Sequence, residues 1–500
     1  MAQKNKKNKG LDNPLQPIIS HAKEYGFIFP SSEIYGGLQA VYDYGSNGAE
    51  LKKNLKEVWW KAMTQFNQNV VGIDAAIFMH PTTWKASGHV DSFSDPMVDN
   101  KDSNKRYRVD VLLEDKANEY RKAGDANKAD ALEQELGRLM DADDMDRLRN
   151  LLISEEIKCS ISGTDNWTEV RQFNLMFSTE MGSVADEANK IYLRPETAQG
   201  IFVNFMNVQK TSRQQIPFGI AQIGKAFRNE IVARQFVFRM REFEQMEMQF
   251  FVRPGEEMQW YDHWKQTRMK FLQAIGLPAE KLRFHNHIKL AHYANAAADI
   301  EFEFPIGFKE LEGIHSRTDF DLSKHAEYSK TKIQYVDDTI EDKDKRKYIP
   351  YVVETSIGLD RLFLAVLSNS LTKAEGVDAK GNVKERLFLK IHPALAPNKV
   401  AVFPLLRKDG LPEIAKGIFN DLRHDFKTIY EERGAIGKLY TRQDMIGTPF
   451  CITVDHQTKE DNTVTVRERD TTEQKRVKIE DLHAMVAEKV SLRNIFDQLV

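Results

Sequence analysis

Two charged strings are the first candidates for chemistry. Gly224-Lys225-Ala226-Phe227-Arg228-Asn229-Glu230 reads as a strand, which puts Arg228 and Glu230 on one face at period two. A loop rich in Arg, Gln and Phe follows over 231–239, and 240–252 alternates again. Arg241, Phe243, Gln245, Glu247 and Gln249 point one way; Glu242, Glu244, Met246, Met248 and Phe250 point the other. Paired as a hairpin, the two strands carry arginine, glutamate and an aromatic on a single face. A guanidinium matches a phosphate and an aromatic face stacks on a base, so such a surface can hold a nucleotide. An exposed polar face laced with cross-strand ion pairs fits the same pattern, and pattern alone does not choose between them.

A third string, Tyr351-Val352-Val353-Glu354-Thr355-Ser356-Ile357-Gly358, places Glu354, Ser356 and Gly358 together. The chain then turns apolar and helical from Leu359 to Leu367, with Arg361 in the first turn, where the helix dipole suits an anionic ligand. Gly219-Ile220-Ala221-Gln222-Ile223-Gly224-Lys225-Ala226 comes close to a phosphate-binding P-loop. It has Ala226 where a magnesium-reaching hydroxyl is required, and it runs into a strand rather than a helix. His285, His287 and His292 cluster without cysteine or carboxylate support, and read as ordinary histidines rather than a metal site.

The elements that must position these residues occupy a chain of 500 residues, long enough for two or three domains. The formal charge is -3, so a nucleic-acid partner would need a local basic surface. Two distant cysteines, Cys159 and Cys451, exclude a disulfide framework and a cysteine-rich zinc site, and suit a reducing, cytoplasmic compartment. No apolar run approaches the ~20 residues of a membrane helix. Residues 1–13 read as a basic disordered tail. Over 49–66 an amphipathic helix puts Leu51, Leu55, Val58 and Trp59 on one stripe, with Lys52, Lys53 and Lys56 opposite. Residues 112–150 are dense in charge with leucines at helical spacing, and read as a solvated helical insertion. A linker-like stretch spans about 374–382, and the pattern restarts beyond Pro393 with the strand Val400-Ala401-Val402-Phe403, as for a separate α/β domain.

Phe227-Arg228-Asn229-Glu230 with Phe243 resembles motif 2 of class II aminoacyl-tRNA synthetases, and Gly358-Leu359-Asp360-Arg361 resembles motif 3. Five further strings resemble the homodimeric glycyl-tRNA synthetase family in particular. They are Ser32-Glu33-Ile34-Tyr35-Gly36-Gly37, Tyr192-Leu193-Arg194-Pro195-Glu196-Thr197-Ala198-Gln199-Gly200, Phe243-Glu244-Gln245-Met246-Glu247, Glu354-Thr355-Ser356-Ile357-Gly358 and Gln443-Asp444-Met445-Ile446-Gly447-Thr448-Pro449-Phe450. The sequence departs from the family at Ser46, where relatives place proline, and in lacking zinc-binding cysteines near 100–110, so no zinc is expected.

The resemblance implies an α+β fold: a six- to seven-stranded antiparallel sheet with flanking helices over 14–390, then a C-terminal α/β anticodon-binding domain over 391–500. It implies a homodimer acting on glycine, ATP with Mg2+ and tRNA(Gly). The implied ATP site comprises Arg228, Asn229, Glu230, Phe238, Arg239, Arg241, Phe243, Glu310, Leu311, Gly358 and Arg361. Arg228 and Arg361 would be catalytic, and Glu310 would place the magnesium. The implied glycine site comprises Arg108, Glu196, Phe243, Gln245, Glu247, Glu354, Ser356 and Gly358; Arg106 rivals Arg108 for its place. Glycine offers only an ammonium and a carboxylate, so convergent carboxylates supply affinity and a tight wall excludes larger side chains. A class II synthetase for another small amino acid, or a non-catalytic nucleic-acid-binding paralogue, are the alternative readings.

Overall fold

The computed structural model describes residues 13–182, 190–231, 235–287, 290, 294–377 and 383–499. Residues 1–12 of the tail expected over 1–13, His292 and part of the 231–239 loop lie outside them. At the centre is a seven-stranded sheet: β1 (Val70–Gly72), β2 (Phe218–Phe227), β3 (Glu242–Val252), β4 (Leu282–Asn286), β5 (Ala296–Phe304), β6 (Gly307–Thr318) and β7 (Tyr351–Gly358). Their order is β4-β5-β6-β7-β3-β2-β1. Six strands are antiparallel, and only the short edge strand β1 runs parallel to its neighbour β2.

One face of this sheet is apolar. Met246, Met248 and Phe250 of β3, Ile314 of β6 and Val353 and Ile357 of β7 pack under helices α1 (Ser46–Thr64) and α6 (Glu257–Ala274), with α8 (Leu359–Ser370) at its edge. The other face keeps Phe243, Gln245, Glu247 and Gln249 together. Helix α5 (Ala198–Ser212) and α7 (Phe320–Ser329) pack at its far end, where Phe202, Phe205 and Leu322 are buried. Period two thus separates core from site, as an alternating strand must.

Lys52 departs from its expected exposed position. It is 7 % exposed, because its ammonium reaches under the sheet edge to Glu244 (2.7 Å) and Asp360 (2.7 Å) and lies 4.1 Å from the Tyr44 ring centre. Asp360 also accepts from the Tyr44 hydroxyl and from the Glu244 backbone N–H (2.7 Å). One buried carboxylate therefore ties α1, β3 and α8 together just ahead of Arg361.

The charged segment after Arg108 folds as α2 (Val109–Lys122), α3 (Ala126–Asp141) and α4 (Met145–Ser154), so its helical reading and the leucine spacing agree. The unit is larger than 112–150. A three-stranded sheet of Ser94–Asn100, Lys105–Arg108 and Arg171–Asn174 joins it, and the helices bury Leu113, Leu132, Leu139, Leu148 and Leu152 with Trp167 in a core of their own. The linker reading of 374–382 also changes: Leu371–Val377 pairs with Val383–Leu389 as a two-stranded hairpin, and 378–382 lie outside the described residues. Its glycines and charges read as a linker because the pairing partner is a second strand further along the chain, and it is anchored by buried Phe388 and Leu389.

Beyond it stands a second sheet, β8 (Val400–Pro404), β9 (Thr428–Tyr430), β10 (Phe450–Val454), β11 (Thr463–Glu468) and β12 (Gln474–Lys478), in the order β9-β8-β10-β11-β12. Its first three strands are parallel and the last two antiparallel, with helices on both faces. No helix among the described residues is long and apolar enough to cross a membrane.

Candidate active site

On the polar face of the main sheet, a cavity of about 110 Å³ is lined by Arg228, Glu230, Val237, Phe238, Arg239, Met240, Phe243, Gln245, Glu310, Ser356, Gly358, Asp360 and Arg361. Arg228 and Glu230 meet here, but not as strand neighbours, since β2 ends at Phe227. Backbone bonds beyond the strand place them instead: Arg228 N–H donates to the Arg241 carbonyl (2.9 Å), Asn229 N–H to the Leu175 carbonyl (2.8 Å) and Glu230 N–H to the Arg228 carbonyl (2.7 Å). Arg228 Nε donates to the Pro195 carbonyl (3.1 Å), and its guanidinium stands 5.3 Å from the Phe243 ring centre.

Arg361 projects from the first turn of α8. Its Nε donates to the Phe238 carbonyl (3.2 Å), its Nη1 pairs with Glu310 (3.0 Å), and its guanidinium covers the Phe238 ring at 4.6 Å. The facing Arg361 guanidinium holds the Glu310 carboxyl below its ordinary value. Glu310 reaches this face through a bulge. Glu301 of β5 pairs with Glu310 and Ile300 with Glu312, leaving Leu311 as the extra residue of β6. Leu311 and Glu312 consequently both turn to the core, where Leu311 is 1 % exposed and Glu312 pairs with Arg268 (2.5 Å). A bulge re-aims side chains in this way.

Three expected ATP-site residues do not line the cavity. The Leu311 side chain sits in the core, placed there by the bulge. Arg241 supports the wall, with its Nε donating to the Glu230 carbonyl (2.9 Å). Asn229 is held by its backbone, as above.

Four residues along β3 from Phe243, the same face becomes acidic. Glu247 and Glu354 are buried, and Glu196 is largely so. Thr197 Oγ1 donates to Glu247, and Gln249 Nε2 donates to Glu247 (2.8 Å) and Glu354 (2.6 Å). Glu354 pairs with Arg317 (3.1 Å) and with His315 Nδ1 (2.9 Å). Burial pushes its carboxyl up, yet Arg317 and His315 outweigh it and hold the group below the usual carboxylate range. The His315 imidazole, opposed by burial, is raised by the same contact. Glu196 pairs with His89 (3.4 Å) and accepts from Gln199 (3.0 Å); burial is outweighed by His89 and Arg317, and its carboxyl is lowered to about 2. Gln245 joins the two regions: its Oε1 accepts from Thr197 N–H (3.2 Å), and its Nε2 faces Ser356 Oγ (3.5 Å).

Arg194 braces this end. It is 2 % exposed and donates to the carbonyls of Lys225 (2.6 Å) and Ala75 (2.7 Å). A Cβ on Gly224 would stand 2.2 Å from its guanidinium, so the close approach requires glycine there.

Arg108 is set apart from the acidic cluster. It pairs with Asp95 (3.1 Å) and Asp110 (2.5 Å) and feels the charge of Glu230. Arg106 is further out, paired with Asp99 (2.7 Å). His287 pairs with Asp299 (2.8 Å), and no group of three His, Cys, Asp or Glu side chains fit to hold a metal ion occurs among the described residues. Sequence reasoning gave no site role to His89, Thr197, His315, Arg317 and Asp321, and placed Gln249 on the site face without giving it one. His315 and Arg317 had a signal, since Gly313, His315 and Arg317 alternate as Glu354 and Ser356 do. Nothing local marks His89.

Comparison with known proteins gives three family matches. "tRNA synthetase class II core domain (G, H, P, S and T)" matches 177–370, "Glycyl-tRNA synthetase insertion domain 1" matches 95–130 and 124–175, and "Anticodon binding domain" matches 399–489. The chain is 51 % identical to the glycine–tRNA ligase of Chlorobaculum tepidum, over 95 % of this chain and all of the relative. It is 50 % identical to that of Staphylococcus saprophyticus (96 % and 100 % covered), and 48 % to that of Treponema denticola (96 % and 97 %).

Proposed function

The chain belongs to the glycine–tRNA ligase family of class II synthetases, and from that premise we propose how its residues divide the work. It is an ATP-dependent aminoacyl-tRNA ligase. It activates glycine as an adenylate, releases pyrophosphate and passes glycine to the 3′ end of tRNA(Gly).

In this reading the arginine-lined cavity takes ATP. Phe243 and Arg361 enclose the adenine, and Glu230 accepts from its amino group. Arg228 stabilises charge developing on the α-phosphate, where a fixed guanidinium needs no reorganisation. Glu310 would help hold the magnesium that accompanies ATP, and the metal would supply Lewis-acid charge neutralisation. The donor set fits, since Glu310 is a carboxylate kept ionised at the mouth of the cavity. The acidic end takes the glycine ammonium between Glu196, Glu247 and Glu354, with Ser356 and Gln245 at its border, and the substrate carboxylate then points towards Arg228. The carrying observation is that Phe243 and Glu247 lie on one face of β3, so nucleotide and amino acid adjoin without a moving part. Arg108, held by Asp95 and Asp110, guards the cavity mouth.

We take 14–390 as the catalytic unit, with its helical insertion, and 391–500 as the anticodon-binding unit. The enzyme works as a homodimer in the cytoplasm. The reading of a dimer is supported by Ile34, Tyr35 and Leu38, which are 88 %, 86 % and 57 % exposed in the segment that precedes α1. The cytoplasmic reading is supported by two buried free thiols. ATP–pyrophosphate exchange across all amino acids tests the substrate: exchange with glycine alone is expected, and exchange with serine, threonine or proline in its place ends this reading. Sedimentation tests the dimer, with a monomeric mass at micromolar concentration counting against it.

A further inference from the structure

The three carboxylates of the acidic pocket have unequal partners. Glu354 has the Arg317 guanidinium and the His315 imidazole, and Glu196 has His89. Glu247, 2 % exposed, is held by neutral groups: the Thr197 hydroxyl and the Gln249 amide. The charged and titratable groups facing it are committed elsewhere. Arg194 donates to the carbonyls of Lys225 and Ala75. Arg317 of β6 pairs with Glu354 and, through two bonds of 2.9 and 3.1 Å, with Asp321 of α7. Gln222 of β2 donates to the Thr197 carbonyl (3.1 Å). A carboxylate buried without a cation is costly, whereas the neutral acid is not. Burial first, then the charges of Glu354 and Glu196, push the Glu247 carboxyl well above its ordinary value.

Gln249 is fully buried between the two carboxyls. Its Nε2 bonds both, and its Oε1 is buried without a partner among the described residues. A single amide therefore clamps Glu247 to Glu354 at hydrogen-bonding range.

We propose that Glu247 is the member of this pocket that exchanges a proton as substrate binds, and that Gln249 is the positioning residue that fixes it in that role. The inference rests on the glycine reading above. In the empty pocket Glu247 is a neutral acid. When glycine enters with its –NH3+ intact, the Glu247 O–H bond breaks and the proton passes to water. The carboxylate left behind pairs with the ammonium, and no bond of glycine is broken. One proton leaves for each glycine bound. A pocket that is one charge short when empty also attracts stray cations less than three standing carboxylates would.

Calorimetric titration of glycine into the full-length enzyme, at pH 7 in buffers of different ionisation enthalpy, counts that proton. About one released per glycine is expected. In pyrophosphate exchange, the glycine KM should fall about tenfold per pH unit while Glu247 remains protonated in the free enzyme, with kcat unaffected. Glu247→Gln has no proton to give, so its residual exchange should show a flat KM. Gln249→Leu removes a donor to the carboxylate, so the pH at which KM levels off should move upward. A merely structural role for Gln249 would leave that pH unmoved and would overturn its assignment. Wild-type enzyme that exchanges with glycine but releases no proton and shows a flat KM overturns the proposal and leaves the glycine reading standing. Wild-type enzyme without glycine-dependent exchange overturns both.

Discussion

The two ends of one sheet face are built on opposite principles. The arginine-lined end is open: Arg361 and Glu310 stand at the cavity mouth, with side chains 24 % and 51 % exposed, and the guanidinium groups lean on carbonyls and aromatic rings. The acidic end is closed. Its carboxyls are locked in a net of Arg317, His315, Gln249, Thr197 and Asp321, most of it buried. A large, highly charged substrate needs fixed cations within reach of solvent. A substrate with no side chain needs a small, rigid space in which every polar atom is already placed, because any slack would admit a larger amino acid.

Disabling the open end should have the largest effect. Arg228→Ala is expected to cut pyrophosphate exchange by about 10²–10³-fold, the usual consequence of losing one pre-aimed transition-state donor, while filter binding of tRNA is unchanged. Equal loss of tRNA binding would show that the arginine supports the fold rather than the phosphate. At the closed end, Glu354→Gln strips Arg317 and His315 of their shared acceptor. The expected result is a glycine KM about 10²-fold higher with the ATP KM nearly constant, in line with ~3 kcal/mol for breaking a buried pair. Parallel rises in both constants would mean the two ends are one site.

Lys52→Met asks how far the open end depends on the core beneath it. Loss of the contacts to Asp360 and Glu244 should lower the melting temperature by several degrees and raise the ATP KM a few-fold through slack at Arg361. An unchanged ATP KM would separate the clamp from the site. The smallest effect concerns acid stability. Glu196 is lowered from 4.5 to about 2, so its contribution is complete above pH 4.5 and is lost as pH falls towards 2. Circular dichroism should show Glu196→Gln with a shallower loss of stability inside that window and no change in slope above it.

Much of the site could be read along the chain because strands report their faces directly. Phe243, Gln245, Glu247 and Gln249 on β3, and Glu354, Ser356 and Gly358 on β7, fell on the faces that period two assigns them. The position of Arg361 one turn into a helix followed from the switch of period after Gly358. Those are properties of two and four residues at a time. Lys52 could not be read in this way: its helix stripe says solvent, and it is Glu244 and Asp360, far along the chain, that draw it inward. The hairpin after Ser370 was hidden for a related reason, since pairing depends on a second strand and not on composition.

By itself the sequence determined the chemistry available and the face of each strand that carries it, because side-chain type and backbone period are local. Tertiary structure decided three things. The bulge at Leu311 turned Glu310 towards the arginine-lined end and buried its two successors, through a pairing offset with β5. Backbone bonds to Leu175 and Arg241 set Arg228 and Glu230 beyond the end of their strand. And the partners of the three acidic side chains, drawn from β3, β6, the segment after α1 and the residues around the start of α5, set those side chains in unequal electrostatic surroundings. Charge state in a buried pocket depends on neighbours distant in sequence, and those neighbours exist only once the chain has folded.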